Sequence, residues 1–288
     1  MIVLSNPGKD TFSLRQTMNR PDFECHHYCD TVPPAVDFHE HEFYEVFFFV
    51  SGNVTYNIEG RTYLLRTGDI LLTDNQDIHR PYISPGKPYE RYVLWITPDF
   101  LNFLQKYGSN LSACFTDASR KKYKLIRPDS SLAAQLKNQL DKIIANRDDK
   151  NFGSEILEVI YIVEFMVYLN RAYFDTSDII RRDVTENKKI NRVVEYINEN
   201  LSQDLSLEKL AEICFISKSY LSHQFKTYTG MPLIQFIIKK RLTAARNMIR
   251  SGMPAMDACM LCGFNDYSNF HKAFKKEFGK SPKEFRKI

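Results

Sequence analysis

The chain has 288 residues, 43% hydrophobic and 26% charged, with 11 Gly and 12 Pro. That fits about two globular domains and excludes a low-complexity chain or a disulfide-stapled mini-protein. The formal charge of +4 is uneven: residues 188–288 hold 18 Lys+Arg against 9 Asp+Glu, and residues 1–187 hold 21 against 26. A basic C-terminal module on an acidic body points to a polyanionic partner. The start, MIVLSNPGKD, has no basic n-region or long apolar run, and the apolar stretch 156–169 is broken by Glu158 and Glu164. No signal peptide, bilayer span or membrane partner is expected, and the chain reads as cytoplasmic. The six cysteines lack the spacing of a disulfide framework, which suits a reduced compartment.

In chain order, Cys25-His26-His27-Tyr28-Cys29 matches no standard zinc ligand spacing and is read as coincidence. Residues 36–97 are rich in Val, Ile, Phe, Tyr and Thr, with turns at Ser51-Gly52-Asn53, Glu59-Gly60 and Thr67-Gly68-Asp69. Short strands at this spacing predict a β-sandwich or barrel. Helical periodicity follows at 98–107, then at 129–147 (Leu132, Leu136, Leu140, Ile143, Ile144) and 154–174 (Ile156, Leu157, Ile160, Val163, Val167, Phe174). The last of these is more apolar than one buried face requires, so it is expected to pack on the barrel and on a partner chain. Residues 175–187 are polar and read as a linker.

The remaining module, 188–288, reads as all helix and contains an internal repeat. Displaced by 49 residues, Leu221 meets Phe270, Phe225 meets Phe274, Lys226 meets Lys275, Gly230 meets Gly279 and Phe236 meets Phe285. One supersecondary unit is used twice. Each copy pairs a short helix (207–213; 255–262) with a second one (217–228; 266–278), with Ser217 and Asp266 at N-cap positions. Leu221, Phe225 and Tyr228, then Phe270, Phe274 and Phe278, are expected to face inward. The opposite faces carry Lys218, Ser219, Ser222, His223 and Lys226, then Tyr267, Ser268, His271, Lys272 and Lys275. Short hydrogen-bonding groups mixed with cations are what a helix needs to read base edges while anchoring on phosphates. Ser281-Pro282-Lys283-Glu284 is a capping box that starts the last short helix.

The stretches LSLEKLAEICFISKSYLSHQFKTYTGMPLIQFIIKKRLTAARNMI and CGFNDYSNFHKAFKKEFGKSPKEFRK resemble the AraC/XylS family DNA-binding domain over the whole module. The resemblance implies two helix-turn-helix units joined by a long helix at 232–251, with recognition helices in successive major grooves about 34 Å apart. Carried over by position, base-facing residues would be Ser219, Ser222, His223, Tyr267, Ser268, His271 and Lys272, while Arg241 would be structural or phosphate-directed. Phe215 stands where a small or polar turn residue is common, so a looser first turn is expected.

The barrel segment carries His39-x-His41-x3-Glu45-x6-Gly52, then Gly68-x5-Asp74-x-Gln76-x2-His79, which resembles the two cupin motifs. In cupin enzymes three His and one Glu hold a metal, here His39, His41, Glu45 and His79. In AraC/XylS sensor barrels, similar positions occur without metal. Both readings stay open, and no metal or cofactor is assigned. As a sensor, the barrel would bind an effector through His41, Glu45, Tyr56, His79, Tyr92 and Trp95, a mixture of aromatic faces and polar groups suited to a sugar. By family analogy, an arm at 1–20, with Arg15, would fold over the barrel mouth.

The expected architecture is α+β and multidomain: a cupin-like barrel (1–110), a helical dimerisation region (111–174), a linker (175–187) and a tandem helix-turn-helix domain (188–288). The expected function is a homodimeric, sequence-specific regulator on double-stranded DNA, answering a carbohydrate effector and contacting RNA polymerase if it activates. No enzyme activity or catalytic residue is assigned. Two alternatives are a metal-dependent cupin enzyme fused to a DNA-binding module, and a regulator whose barrel binds a protein.

Overall fold

The computed structural model describes residues 17–32, 35–176 and 183–285. Two compact units divide the chain, one running to Thr185 (the hairpin tip Glu59–Arg61 excepted) and the other from Glu186. The arm expected over the barrel lies, through residue 16, outside the described residues.

The first unit carries β1 (Phe23–Asp30), β2 (Tyr44–Ser51), β3 (Asn53–Ile58), β4 (Arg61–Leu64), β5 (Ile70–Thr73), β6 (His79–Ser84), β7 (Tyr89–Ile96), β8 (Leu125–Ile126) and β9 (Val184–Glu186). They form a five-stranded sheet, β1-β7-β2-β5-β8, and a four-stranded sheet, β6-β3-β4-β9. Every named pairing of β1, β2, β3 and β5 with β5, β6, β7 or β8 is antiparallel. The β3–β4 hairpin turns through Glu59 and Gly60 at φ 51° and 80°, the left-handed pair that matches the twist of the strands it joins.

Strand alternation divides the core in two. Phe47, Phe49, Tyr56, Ile58, Tyr63, Tyr89, Val93 and Trp95 pack together between the sheets. Val46, Phe48, Ile70, Leu72, Tyr92, Leu94 and Ile96 face the other way and pack against helices. These helices are α1 (Pro98–Leu104), α2 (Ala113–Lys121), α3 (Ser130–Asn146) and α4 (Ser154–Thr176). Thr97 caps α1 through Phe100 N, with Pro98 in the first turn, and Asp129 caps α3 through Leu132 N. Because the central strands are covered on both faces, β7 reads as a near-continuous apolar run instead of an alternating one.

Three elements differ from expectation. The 23–30 segment is β1, so Cys25 faces the helical layer while Tyr28 enters the sheet interior. The stretch 111–126 supplies α2 and β8. Within the expected linker, β9 joins the smaller sheet: Leu64 N donates to Asp183 O, and Arg127 ties Asp183 to Asp69. Backbone hydrogen bonds, the partly buried Arg127 and the core contact of Val184 hold a largely polar segment. Residues 177–182 of the linker lie outside the described residues.

The second unit is helical: α5 (Lys188–Glu199), α6 (Leu207–Ile213), α7 (Lys218–Thr229), α8 (Leu233–Arg250), α9 (Ala255–Leu261), α10 (Tyr267–Phe278) and α11 (Pro282–Phe285). The repeat is physical. Phe225 and Phe236 meet edge to face at 5.2 Å, and their equivalents Phe274 and Phe285 do so at 5.6 Å. Each pair seats the second helix of its copy on the helix that follows. The capping box closes as expected: Ser281 N donates to Glu284 Oε2 at 2.6 Å, and Glu284 N to Ser281 Oγ at 3.4 Å. Among the described residues, no helix is long and apolar enough to cross a membrane.

Candidate functional site

The two helix-turn-helix units are α6–α7 and α9–α10. Ser217 and Asp266 cap the second helices, accepting from Tyr220 N and Asn269 N. Leu221 and Phe225, like Phe270 and Phe274, are fully buried, while Tyr228 and Phe278, expected inside, are only half-buried. Lys218, Ser219, Ser222, His223 and Lys226 are exposed on α7. On α10, Ser268, Lys272 and Lys275 are exposed, with Tyr267 and His271 half-buried. Lys218 Nζ pairs with Glu208 Oε1 at 3.0 Å, which neutralises one α7 cation in the free protein.

The first turn is not loose as expected. It is one residue shorter than the second: Cys214, Phe215 and Ile216 precede Ser217, whereas Cys262, Gly263, Phe264 and Asn265 precede Asp266. Hence the first helices of the copies register at 48 residues and the second helices at 49.

Arg241 is committed to the protein. Its Nε donates to Leu201 O at 2.9 Å and its Nη2 to Gln203 O at 2.8 Å. A guanidinium with two backbone carbonyls to hold is a brace between α8 and the α5–α6 loop, so the phosphate-directed alternative gives way to the structural one.

In the first unit, Glu45, Tyr56, His79 and Trp95 come together inside the sandwich with His41, all buried. Trp95 Nε1 donates to Glu45 Oε2 at 2.8 Å and Tyr56 OH to Oε1 at 3.4 Å. His41 Nε2 lies 3.7 Å from Glu45 Oε2 and His79 Nε2 3.9 Å from Oε1. Burial pushes the Glu45 carboxyl up to about 7, with the Trp95 and Tyr56 hydrogen bonds opposing it. Burial first, then the neighbouring His39 and His41 rings, hold His79 well below the usual histidine range. His39 is half-buried; its ring centre is 4.2 Å from that of His79, and the two residues share a backbone bridge.

The loop that carries His79 departs from the cupin pattern at Asp74 and Gln76, and other residues fix it. Asp77 Oδ2 accepts from Asp74 N at 2.7 Å and from Lys124 Nζ at 2.7 Å, and Asp74 accepts from Ser119 Oγ at 2.9 Å.

Tyr92 is corrected. It lies on the helical face of β7, stacked on His27 at 4.1 Å, with its hydroxyl donating to Asp141 at 2.5 Å. Its parity on the strand is opposite to that of Tyr89, Arg91 and Trp95, so it does not reach the sandwich interior.

Arg91, absent from the expected set, shares the strand face of Tyr89 and Trp95 and, against the larger effect of burial, lowers the Glu45 carboxyl electrostatically. It is 2% exposed, paired with Asp30, and lies against the rings of Tyr89 (4.0 Å) and Tyr28 (4.7 Å). A buried Arg in a strand was the one available signal.

The AraC-like ligand-binding domain matches residues 20–162, and a helix-turn-helix domain matches residues 210–288. The chain is 22% identical over 249 residues to the HTH-type transcriptional activator RhaS of Enterobacter sp. (strain 638), covering 86% of each chain. It is 23% identical over 257 residues to RhaS of Salmonella schwarzengrund, again covering 86% of each. Among solved structures, the C-terminal domain of AraT, a response regulator from Geobacillus stearothermophilus, is similar at 32% identity over 35% of this chain and 85% of that one, with a TM-score of 0.34. With a ligand-binding domain and a helix-turn-helix domain matched in this order along one chain, the protein belongs to the AraC/XylS family of DNA-binding transcription regulators.

Proposed function

We propose that this chain is a homodimeric, cytoplasmic transcription activator that answers a sugar or sugar derivative bound inside the N-terminal sandwich. The observation that carries the regulator reading is the matched pair of helices α7 and α10, each with a buried aromatic or aliphatic seam and an opposite face of exposed Ser and Lys with one His, exposed on α7 and half-buried on α10. Ser219, Ser222 and His223, then Tyr267, Ser268, His271 and Lys272, take the base-edge role, and Lys218, Lys226 and Lys275 take phosphates. Activation implies contact with RNA polymerase.

The effector reading rests on the buried set Glu45, Tyr56, His79 and Trp95 with His41, joined by Arg91. Aromatic faces stack on sugar C–H surfaces, and the imidazoles, carboxyl and guanidinium take hydroxyls. Dimerisation is assigned to α3 and α4. Ile156 (64% exposed) and Ile160 (50%) stand on α4 beyond the side chains that seal the core, beside Phe103 (60%). An apolar face of this kind is normally covered. The division into barrel (1–110), helical region (111–174), linker (175–187) and DNA-reading module (188–288) follows these roles. The effector acts by favouring one presentation of the two DNA-reading modules, which requires that it bind that arrangement more tightly.

The test is selection from a random duplex library, followed by binding to the selected site across a salt series with and without sugars. Enrichment of one site with two contacted segments a helical turn apart, tightened by one sugar, is the expected result. Salt-sensitive binding without enrichment would leave only the electrostatic component.

A further inference from the structure

We propose that the groove between α1 and α4 binds a lipophilic organic cation. The groove holds about 990 Å3, within the range of pockets for drug-sized ligands. It opens on the helical layer, on the far side of the five-stranded sheet from the sandwich interior. The inference therefore goes beyond the effector reading and does not rest on it.

The lining combines two chemistries. Phe103, Tyr107, Val163 and Val167 present aromatic and apolar surface. Asp22, Asp99 and Glu164 bring three carboxylates from three segments: the residue before β1, the first turn of α1 and the middle of α4. Among the described residues, no Lys, Arg or His lines the groove. A neutral apolar ligand would strip water from these carboxylates without compensation, and an anion would add repulsion. A cation on an apolar body satisfies both parts of the lining: its charge meets the carboxylates and ring faces, and its body covers the valines.

The rings at the rim already hold an ammonium. Lys106 Nζ stands 3.6 Å from the centre of the Phe103 ring and 5.1 Å from that of Tyr107. Lys106 is exposed, and its flexible stem lets the ammonium return to water when a ligand cation takes the ring faces. Its one positive charge is outnumbered by the three carboxylates. Phe103 and Ile160 also belong to the face assigned above to dimerisation, whereas Ile156 lies beyond the groove lining. A second copy is thus the competing occupant, and the test separates the two.

The experiment titrates the full chain by calorimetry with tetraphenylphosphonium and with tetraphenylborate, ions of the same shape and opposite charge. One tetraphenylphosphonium per chain is expected, bound at least about tenfold more tightly than tetraphenylborate. That preference should shrink in about 1 M salt. Glu164→Gln should weaken the cation about three- to tenfold, and Lys106→Ala should strengthen it about two- to threefold. Glu155→Gln, on the same helix but outside the groove lining, should leave affinity within about twofold of wild type. The charge preference of the wild-type chain carries the test should a variant fail to fold. No binding at about 100 µM cation, equal affinity for the two ions, or a preference for tetraphenylborate overturns the site. Sedimentation at the same protein concentrations covers the competing occupant: cation binding that vanishes as the chains associate assigns the groove to a second copy and overturns the proposal. Each of these failures leaves the sugar reading standing, and a null sugar screen leaves the cation groove standing.

Discussion

Phe215 and Gly263 occupy the same place in the two helix-turn-helix units, each the second residue after its first helix, and both are left-handed, at φ 54° and 81°. Their backbones match as well: Phe215 N donates to Glu212 O, and Gly263 N to Met260 O, 48 residues on. The side chains face opposite constraints. Phe215 is 87% exposed. A Cβ at position 263 would press into the Leu201 carbonyl oxygen and lie 2.8 Å from Arg241 Nη2.

Phe215→Gly should therefore stabilise the protein. Relief of a left-handed non-glycine residue is worth about 1–2 kcal/mol; the added freedom of the unfolded chain takes back about half, and no burial is lost. Gly263→Ala should cost about 3 kcal/mol or more, since it adds both backbone strain and a collision with a carbonyl. Urea denaturation of both variants checks the pair; equal and small effects would sink the argument.

Arg241→Met distinguishes a brace from a phosphate contact. Loss of two charge-assisted hydrogen bonds to Leu201 O and Gln203 O predicts a drop of about 2–3 kcal/mol in stability. Once the fold is populated, the salt slope of DNA binding should be unchanged. Lys272→Ala predicts the reverse: unchanged melting, weaker DNA binding, and a salt slope smaller by about one. Thermal melts and salt titrations on both variants give a crossed result that no single role could produce.

The DNA-reading half was the more legible half because each helix there is amphipathic, capped by its own residues and repeated. Local signals such as Ser217, Asp266 and the 281–284 box settle helix starts without tertiary information. The sandwich interior was harder to read. In β7 both faces are buried, so parity is invisible in the residue types, and one step along the strand separates Tyr92 from Arg91. Arg91 and the support of the 74–79 turn depend on Asp30, Ser119 and Lys124, tens of residues away in the chain. The strand β9 leaves little apolar trace, because Val184 is its one core contact and the rest of its order comes from backbone pairing and the Arg127–Asp183 ion pair.

Acid should loosen the packing of α2 on α4. Asp117 accepts from Arg120, Lys121 and Tyr173 OH, the last at 3.0 Å from α4. The Arg120 hydrogen bond, then those from Lys121 and Tyr173, hold its carboxyl down at about 2 against burial. A depressed carboxyl stabilises the fold above its unfolded value of about 4, and that contribution disappears as pH falls toward about 2. Asp117→Asn should melt below wild type at pH 6, with the gap closing by pH 2. A gap independent of pH would assign the effect to packing instead.

The buried pair Lys124–Asp77 should matter more than any surface ion pair, because both groups are almost wholly shielded, at 7% and 11% side-chain exposure and 2.7 Å apart. Lys124→Met removes the cation and strands a carboxylate that also receives Asp74 N, so a cost of about 3–5 kcal/mol is expected. Asp77→Asn strands the ammonium, although Lys124 keeps Ser119 Oγ at 2.6 Å, and should cost less. The double variant strands no charge and should recover much of the loss, giving a coupling of about 1–3 kcal/mol in a double-mutant cycle. The effect should also reach the proposed effector site, since Asp77 O orients the His79 ring. Effector affinity should fall in Lys124→Met under conditions where the chain is still folded. Additive single effects, with affinity at the His79 site unchanged, would reduce the pair to a local contact.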